Sequence, residues 1–190
     1  MKRWALLVLV GLALLVGNSA AEPPAGVVLY FKSGGEIYLL LAEHTRGERG
    51  WAAFGGGGRE GETLAETAAH KGEEESRGYY KRSYVRERIG DQKPVMDGEF
   101  AAYFAEVDFA PAQAVTNHTP PENTDAYNER STFAWIPYSS LAPHLQSDIE
   151  RGKTYEIDPA YLPQGSRATH YWRAWLSNMR KAVVANSLPW

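Results

Sequence analysis

The sequence contains no cysteine among its 190 residues. A disulfide framework is therefore excluded, and the fold has to be stabilised by its hydrophobic core. The chain also has no internal repeat and no low-complexity segment. Its length and composition are those of a single globular domain.

The sequence lacks a strong charge imbalance as well. It carries 20 Lys and Arg residues against 23 Asp and Glu residues, a formal net charge of −3. Without Lys2 and Arg3 the balance is 18 against 23, a net charge of −5. Such a chain has no broad electrostatic attraction for nucleic acid or anionic lipid. We therefore expect neither nucleic acid nor a membrane among the partners of the mature protein.

The longest apolar run, residues 4–16, is shorter than the ~20 residues that a membrane-spanning helix needs. It follows the basic start Met1-Lys2-Arg3, and small residues at 19–21 follow it. This three-part pattern predicts a secretory signal peptide over residues 1–21, a domain over residues 22–190, and a periplasmic or secreted protein. An uncleaved N-terminal anchor is the alternative, but the missing cysteine excludes a lipid anchor at the cleavage site.

The rest of the chain alternates strand-like and helix-like patterns. Apolar runs of strand length occupy residues 26–31, 36–42, 51–54, 100–107 and 133–136. Helices are predicted over residues 63–77, from Ser139 or Ser140 to about residue 151, and over residues 168–185. Residues 79–96 are predicted to form a strand plus an irregular segment, and the alternatives are a continued helix or one of each around Gly90-Asp91. Residues 108–130 are predicted to form a long loop. Strands with helices inserted among them predict a mixed α/β sandwich.

The most informative stretch is residues 55–78, GGGGREGETLAETAAHKGEEESRG. Four glycines follow a short strand, and Thr63 with Glu66 matches a helix-capping box. The helix that follows carries several carboxylates. Glycines allow close backbone approach, and carboxylate oxygens are the ligands of hard cations. The pattern therefore predicts a site that holds a divalent cation against a phosphate.

This stretch resembles the signature of the Nudix hydrolases. That signature is a glycine, five residues, a glutamate, seven residues, then Arg-Glu, an apolar residue, any residue, Glu-Glu, any residue, glycine and an apolar residue. Gly56 takes the place of the first glycine, Glu62 that of the first glutamate, and Glu74 with Glu75 that of the glutamate pair. Asn128-Glu129 followed by FAWIP at residues 133–137 resembles a downstream family pattern. The resemblance covers most of residues 26–150.

The resemblance implies a Nudix-like α/β/α sandwich with a mixed sheet. It also implies Mg²⁺- or Mn²⁺-dependent hydrolysis of a diphosphate linkage in a nucleoside diphosphate joined to another group. Glu74 and Glu75 would then bind the metal, with Glu75 and Glu129 as catalytic residues. The residues that would bind the substrate and its phosphates are Gly56, Gly57, Arg59 and Glu62.

Four residues depart from the signature: His70, Lys71, Gly72 and Arg77. Lys71 stands where the family has a glutamate that helps to bind the metal. Because Lys71, Glu74 and Glu75 share one helix face, the ammonium can pair with either carboxylate and compete with a cation. Two functions therefore remain open, a hydrolase and a catalytically silent Nudix-like module that binds a ligand or partner.

Three further groups of residues are candidates for weaker roles. Glu66, His70 and Glu73 have the spacing of a transition-metal site, with a solvated helix face as the alternative. A basic tract could meet substrate phosphates or simply be solvated surface: Lys81, Arg82, Arg86 and Arg88. Aromatic residues that could stack on a base or belong to the core are Trp51, Tyr103 and Trp135.

Overall fold

The computed structural model describes residues 23–45 and 49–190. The predicted signal peptide, residues 1–21, lies outside the described residues. Within the described ranges, no helix has the length and the apolar character that crossing a membrane requires.

The described residues form one mixed sheet of seven strands. These are β1 (Ala25–Ser33), β2 (Glu36–His44), β3 (Trp51–Ala52), β4 (Phe54–Gly56), β5 (Val95–Asp97), β6 (Phe100–Glu106) and β7 (Arg130–Pro137). The order β3-β2-β1-β6-β5 is extended by β7, which pairs with β2, and by β4, which pairs with β1. β1 and β2 form the predicted hairpin, and Gly34 and Gly35 supply the positive φ angles of its turn. β1 and β6 are parallel.

Helices cover both faces of this sheet. They are α1 (Leu64–Glu75), α2 (Arg82–Ile89), α3 (Ala112–Thr116), α4 (Tyr138–Leu141) and α5 (Arg173–Val184). Alternate residues of β1 point to opposite faces, so that Val27 packs with α1 and α2 whereas Val28 packs with α5. The predicted α/β/α sandwich with a mixed sheet is confirmed, because both faces of the sheet are buried under helices.

Helix α1 begins as the sequence predicts. The Thr63 hydroxyl accepts a hydrogen bond from the Glu66 backbone, and the Glu66 carboxylate accepts one of 2.8 Å from the Thr63 backbone. Gly72 explains one departure from the signature, because a Cβ there would lie 3.1 Å from Val27 and 3.2 Å from Val85. The glycine therefore lets α1 lie close to both β1 and α2. The helix ends two residues earlier than predicted, since Arg77 has a φ of 58°.

The prediction of a strand at residues 79–96 is wrong in its first half. Residues 82–89 form α2, and only the short β5 follows it. Val85 and Ile89 are four residues apart and are the two buried side chains of this helix. Gly90, with a φ of 56°, follows the last helical residue. A helix with only two buried apolar residues among charged side chains has too weak a periodicity to be recognised from the sequence.

Two helices differ in extent from the prediction. The helix predicted to run to residue 151 stops as α4 and continues only as a 3-10 turn over Ala142–Leu145. Pro143 lies in that turn and lacks the backbone N–H that an α-helix needs. The C-terminal helix begins at Arg173 rather than at residue 168, because Tyr171 forms a bridge to Trp51 and the Trp172 backbone donates to Trp51.

Two other segments are more complex than predicted. The strand expected at residues 51–54 is divided into β3, which pairs with β2, and β4, which pairs with β1. The long loop over residues 108–130 contains the short helix α3. The division of the strand matters for the site, because it brings the glycines that follow β3 across to β1.

Candidate functional site: the glycine loop and the acidic helix

The four glycines of residues 55–58, which we call the glycine loop, are held against the C-terminal end of α1. The backbone N–H of Gly55 donates a hydrogen bond of 3.0 Å to Glu75 Oε1. A Cβ on Gly55 would lie 2.9 Å from the ring of Phe100 and 3.0 Å from the Cα of Gly26, so only glycine fits there. Gly57 has open space where a Cβ would lie. The loop is therefore packed at its start and open further along.

Glu75 is buried and paired with an arginine. Its Oε2 accepts a hydrogen bond of 2.8 Å from Nε of Arg130 and lies 2.8 Å from Nη2 of the same guanidinium as an ion pair. The side chains of Arg130 and Glu75 are 1% and 2% exposed. Burial raises the pKa of Glu75, and the charge of Glu129 raises it further, while Arg130 opposes this rise. Both oxygens of Glu75 are thus occupied by donors from the protein itself.

Glu74 is held by three cationic or ionisable side chains. Its Oε2 lies 2.7 Å from Lys71 Nζ, and its Oε1 lies 2.6 Å from Arg59 Nη2. His70 Nε2 is 3.4 Å from the same Oε1. Of the two pairings that the helix spacing allows for Lys71, the structure therefore has the one with Glu74. Glu74 itself is 1% exposed.

Glu62 joins the loop to the helix. Its Oε1 lies 2.8 Å from His70 Nδ1 and 3.2 Å from Arg82 Nη2, and its Oε2 accepts a hydrogen bond from Thr67. Burial raises the pKa of Glu62, but the hydrogen bonds from His70 and the Arg59 backbone outweigh it and hold the pKa below its usual range. Since His70 lies on α1 and contacts both Glu62 and Glu74, it links the residues that precede α1 to the helix itself.

The alternative metal site at Glu66, His70 and Glu73 is not formed. His70 is bonded to Glu62, Glu66 caps Thr63, and Glu73 accepts from the Arg82 backbone and lies 3.6 Å from Lys81. Across residues 23–45 and 49–190, no group of three or more His, Cys, Asp or Glu side chains is arranged to hold a metal ion.

The donor set also fails to fit the Mg²⁺ or Mn²⁺ that the resemblance implies. Lys71 and Arg59 lie within hydrogen-bond distance of the two oxygens of Glu74, and Arg130 occupies Glu75. A divalent cation would have to displace positive charges from two buried carboxylates. Arg130 is itself buried, and a cation that displaced it from Glu75 would leave an unpaired buried charge, which is strongly unfavourable. The residues as arranged therefore do not fit the metal.

Glu129 makes no hydrogen bond or ion pair with Glu74 or Glu75 in the described part of the chain, although its charge acts on Glu75. It lines a cavity of about 300 Å³ with His44, Arg49 and Asp125. Its backbone accepts a hydrogen bond of 3.0 Å from Thr45. The neighbouring residue, Arg130, is the one that reaches Glu75. The sequence analysis did not identify Arg130 as a site residue. A basic residue at the start of an apolar strand, directly after Glu129, was a signal that could have indicated it.

A second cavity, of about 510 Å³, lies between the glycine loop and the N-terminal end of α5. We call it the loop–helix cleft; it is lined by residues 55–57 together with Arg49, Phe100, Trp172 and Arg173. The Arg49 guanidinium lies 5.2 Å from the centre of the Trp172 ring. Arg49 lines both cavities, so the cleft adjoins the space beside Glu129. Gly56 and Gly57, two of the predicted site residues, thus line a ligand-sized cavity. The sequence analysis did not identify Arg49, Trp172 or Arg173 as residues of this cavity.

The other sequence candidates lie elsewhere. Trp51 and Tyr103 are buried in the core, and Trp135 packs against Phe31. The basic tract makes local contacts rather than lining either cavity. Its partners are Glu73 for Lys81, Glu62 for Arg82, the Gly90 carbonyl for Arg86 and Asp108 for Arg88.

The glycine loop and acidic helix, set on a mixed sheet between two helical layers, match the fold that the resemblance implies. The fold is Nudix-like. No protein-family model and no curated protein sequence matches the chain.

Solved Nudix structures resemble this Nudix-like chain at low sequence identity. An Ap4A hydrolase binary complex from C. elegans is 13% identical over 65% of this chain and 85% of that chain, with a TM-score of 0.38. The NUDIX domain of Shewanella oneidensis NrtR complexed with ADP ribose is 15% identical over 65% and 77%, with a TM-score of 0.43. The Nudix hydrolase RenU from M. smegmatis is 14% identical over 88% and 90%, with a TM-score of 0.41.

Proposed function

We propose that this chain binds a nucleotide-like diphosphate in the loop–helix cleft without a divalent cation. One observation carries the proposal: the signature carboxylates already hold cationic side chains of the protein. Lys71 and Arg59 neutralise Glu74, and Arg130 neutralises Glu75. A diphosphate therefore has to find its positive partners among side chains rather than on a bridging metal.

The cleft offers such partners for the phosphates. Its volume of about 510 Å³ lies in the range of ordinary small-molecule sites. Arg49 and Arg173 line it, and guanidinium groups bind phosphate oxygens through two parallel hydrogen bonds. Trp172, at the N-cap of α5, makes no side-chain capping hydrogen bond. The first-turn N–H groups of α5 and its dipole therefore favour an anion.

The cleft also offers surfaces for a base or a ribose. The rings of Phe100 and Trp172 line it, and aromatic rings present both an apolar face and a specific stacking geometry. Arg49 lies over the Trp172 ring and reaches the same space. Two rings beside two guanidinium groups match a ligand with a nucleoside at one end and a diphosphate next to it.

Calorimetric titration with ADP-ribose tests this proposal. We expect the same affinity in EDTA and in Mg²⁺, and about tenfold weaker binding after either Arg49→Gln or Arg173→Gln, because each removes a charged hydrogen-bond donor. Arg151→Gln removes an exposed arginine outside the cleft and serves as the matched control. Binding that requires Mg²⁺, or that survives both arginine substitutions unchanged, would overturn the proposal.

Metal-dependent hydrolysis is the second candidate. One observation favours it: the cavity beside Glu129 shares Arg49 with the cleft. The test is to incubate the protein with ADP-ribose, Ap4A, nucleotide sugars and coenzyme A in Mg²⁺ or Mn²⁺ and to follow nucleotide release. Turnover that disappears in Glu75→Gln and Glu129→Gln would establish the hydrolase and replace the binding proposal. Absence of turnover on every substrate would support metal-free binding.

Export of the protein is a further part of the proposal. The basic start, the apolar run and the small residues of positions 19–21 support cleavage after residue 21. Mass spectrometry of the protein from a bacterial periplasmic fraction should then give a chain that begins at Glu22. A full-length chain found with the membrane fraction would instead indicate an uncleaved anchor.

A further inference from the structure

We propose that a third cavity, between the C-terminal half of α5 and β5, binds an amphipathic carboxylate, that is, a carboxylate with an apolar chain. This α5–β5 cavity has a volume of about 620 Å³, within the range of small-molecule sites. Ser177 lines both this cavity and the loop–helix cleft, and the Lys181–Asp97 ion pair of 2.8 Å connects their walls. The proposal is independent of nucleotide binding, since Arg49, Trp172 and Arg173 do not line the α5–β5 cavity.

The apolar part of the ligand has a matching wall. Much of the lining is aliphatic: Val95, Met96, Ile149, Val184 and Ala185. Met96 is 45% exposed and Val184 is 67% exposed, and they are two of the four large apolar side chains that are exposed in the described part of the chain. Covering such side chains with an alkyl chain is favourable in proportion to the apolar area removed from water.

The charged part of the ligand has a partner in Arg180. Arg180 lines the cavity, and no ion pair among the described residues includes it. A guanidinium group without a carboxylate partner in the protein can donate charge-assisted hydrogen bonds to the carboxylate of a ligand. Lys181, the next residue, differs in this respect because Asp97 already neutralises it.

The one acidic side chain on the wall does not oppose this arrangement. Asp148 lines the cavity but is exposed, so that water and salt screen its charge. Arg180 has no acidic partner in the described protein, so its positive charge is available to an anion that binds along the aliphatic wall. We therefore expect the carboxylate at Arg180 and the alkyl chain along Met96 and Val184.

Calorimetric titration with decanoate, below the concentration at which it forms micelles, tests the inference. Decanol has the same chain without the charge and should bind at least tenfold more weakly. Arg180→Gln should weaken decanoate about tenfold and leave decanol unchanged. Val184→Glu changes an exposed position, so the fold is retained, and should also weaken decanoate by placing a negative charge on the wall.

Arg88→Gln, on the opposite face of the sheet, is the control and should bind decanoate normally. Thermal melting of each variant verifies that it is folded. Absence of decanoate binding, equal binding of decanol, or undiminished binding to Arg180→Gln would each overturn the inference. ADP-ribose binding is measured in parallel, and Arg180→Gln should not change it, so failure of this inference and failure of the proposed function are separate results.

Discussion

Two nitrogens of Arg130, Nε and Nη2, lie 2.8 Å from a single oxygen, Oε2, of Glu75, and both side chains are buried. The pair joins the first residue of β7 to the last residue of α1. The other oxygen of Glu75 accepts from the Gly55 backbone. One carboxylate therefore connects a helix, a strand and the glycine loop, and it is a structural group in this fold as much as a candidate ligand.

Breaking this pair from one side should be costly. Arg130→Met leaves a buried carboxylate without its partner and should lower the free energy of unfolding by about 3–5 kcal/mol. The double substitution Glu75→Gln with Arg130→Met should be less destabilised than Arg130→Met alone, because no uncompensated charge remains. Urea denaturation measures both. As a control, Arg88→Gln breaks an exposed ion pair and should lower the free energy of unfolding by less than about 1 kcal/mol. Equal losses of stability in Arg130→Met and in the double variant would contradict the expected coupling.

Lys71→Glu should create the metal affinity that the present donor set lacks. It removes the ammonium that lies 2.7 Å from Glu74 and adds a third carboxylate on the same helix face. We expect millimolar Mn²⁺ to raise the melting temperature of Lys71→Glu relative to EDTA, and to leave the unsubstituted protein unchanged.

Lys81→Glu is the matched control for this charge reversal, because Lys81 is 55% exposed and lies beside Glu73 rather than Glu74. It should show no stabilisation by Mn²⁺. An equal effect of Mn²⁺ on the unsubstituted protein would show that a cation does displace Lys71 and Arg59 from Glu74.

The free energy of unfolding should decrease at acid pH because His44 binds a proton more readily in the unfolded chain than in the folded protein. Burial, followed by the charge of Arg130, lowers the pKa of His44 to about 4 from 6.5. The folded protein holds this imidazole neutral, whereas the unfolded chain binds a proton below pH 6.5. Stability is therefore lost as the pH falls from 6.5 towards 4, by roughly 2–3 kcal/mol in total.

Urea denaturation across this pH range measures the effect, and His44→Gln identifies its source. Glutamine has no group that titrates there, so the variant should show a smaller decrease in stability than the unsubstituted protein. The same pH dependence in both proteins would assign the acid sensitivity to other groups.

Two neighbouring glycines should respond differently to alanine. A Cβ at Gly55 would lie 2.9 Å from Phe100 and 3.0 Å from Gly26, so Gly55→Ala should lower the free energy of unfolding by about 1–3 kcal/mol. Gly57 has open space, and Gly57→Ala should remain within about 0.5 kcal/mol of the unsubstituted protein. Denaturation of the two variants side by side measures the difference, and similar stabilities would contradict the packing of β4 against β1.

Local patterns account for the elements that were predicted correctly. The capping box of Thr63 and Glu66 placed the start of α1, and the two glycines after β1 placed the hairpin turn. Helix α2 was missed because Val85 and Ile89 are its only two buried residues among the eight. The late start of α5 was missed because a contact with Trp51, more than a hundred residues away along the chain, keeps Tyr171 extended.

The sequence by itself determined that Lys71 would lie beside the glutamate pair, because residues three and four apart share a helix face wherever the helix is placed. Only the tertiary structure decided that Glu75 is paired with Arg130, which is 55 residues away. That contact depends on the register of β7 against β2, where Arg130 is opposite His44. The loop–helix cleft likewise exists only because Trp172 is docked on β3. Helix periodicity is a property of the local backbone, whereas these pairings depend on which strands the packed sheet brings together.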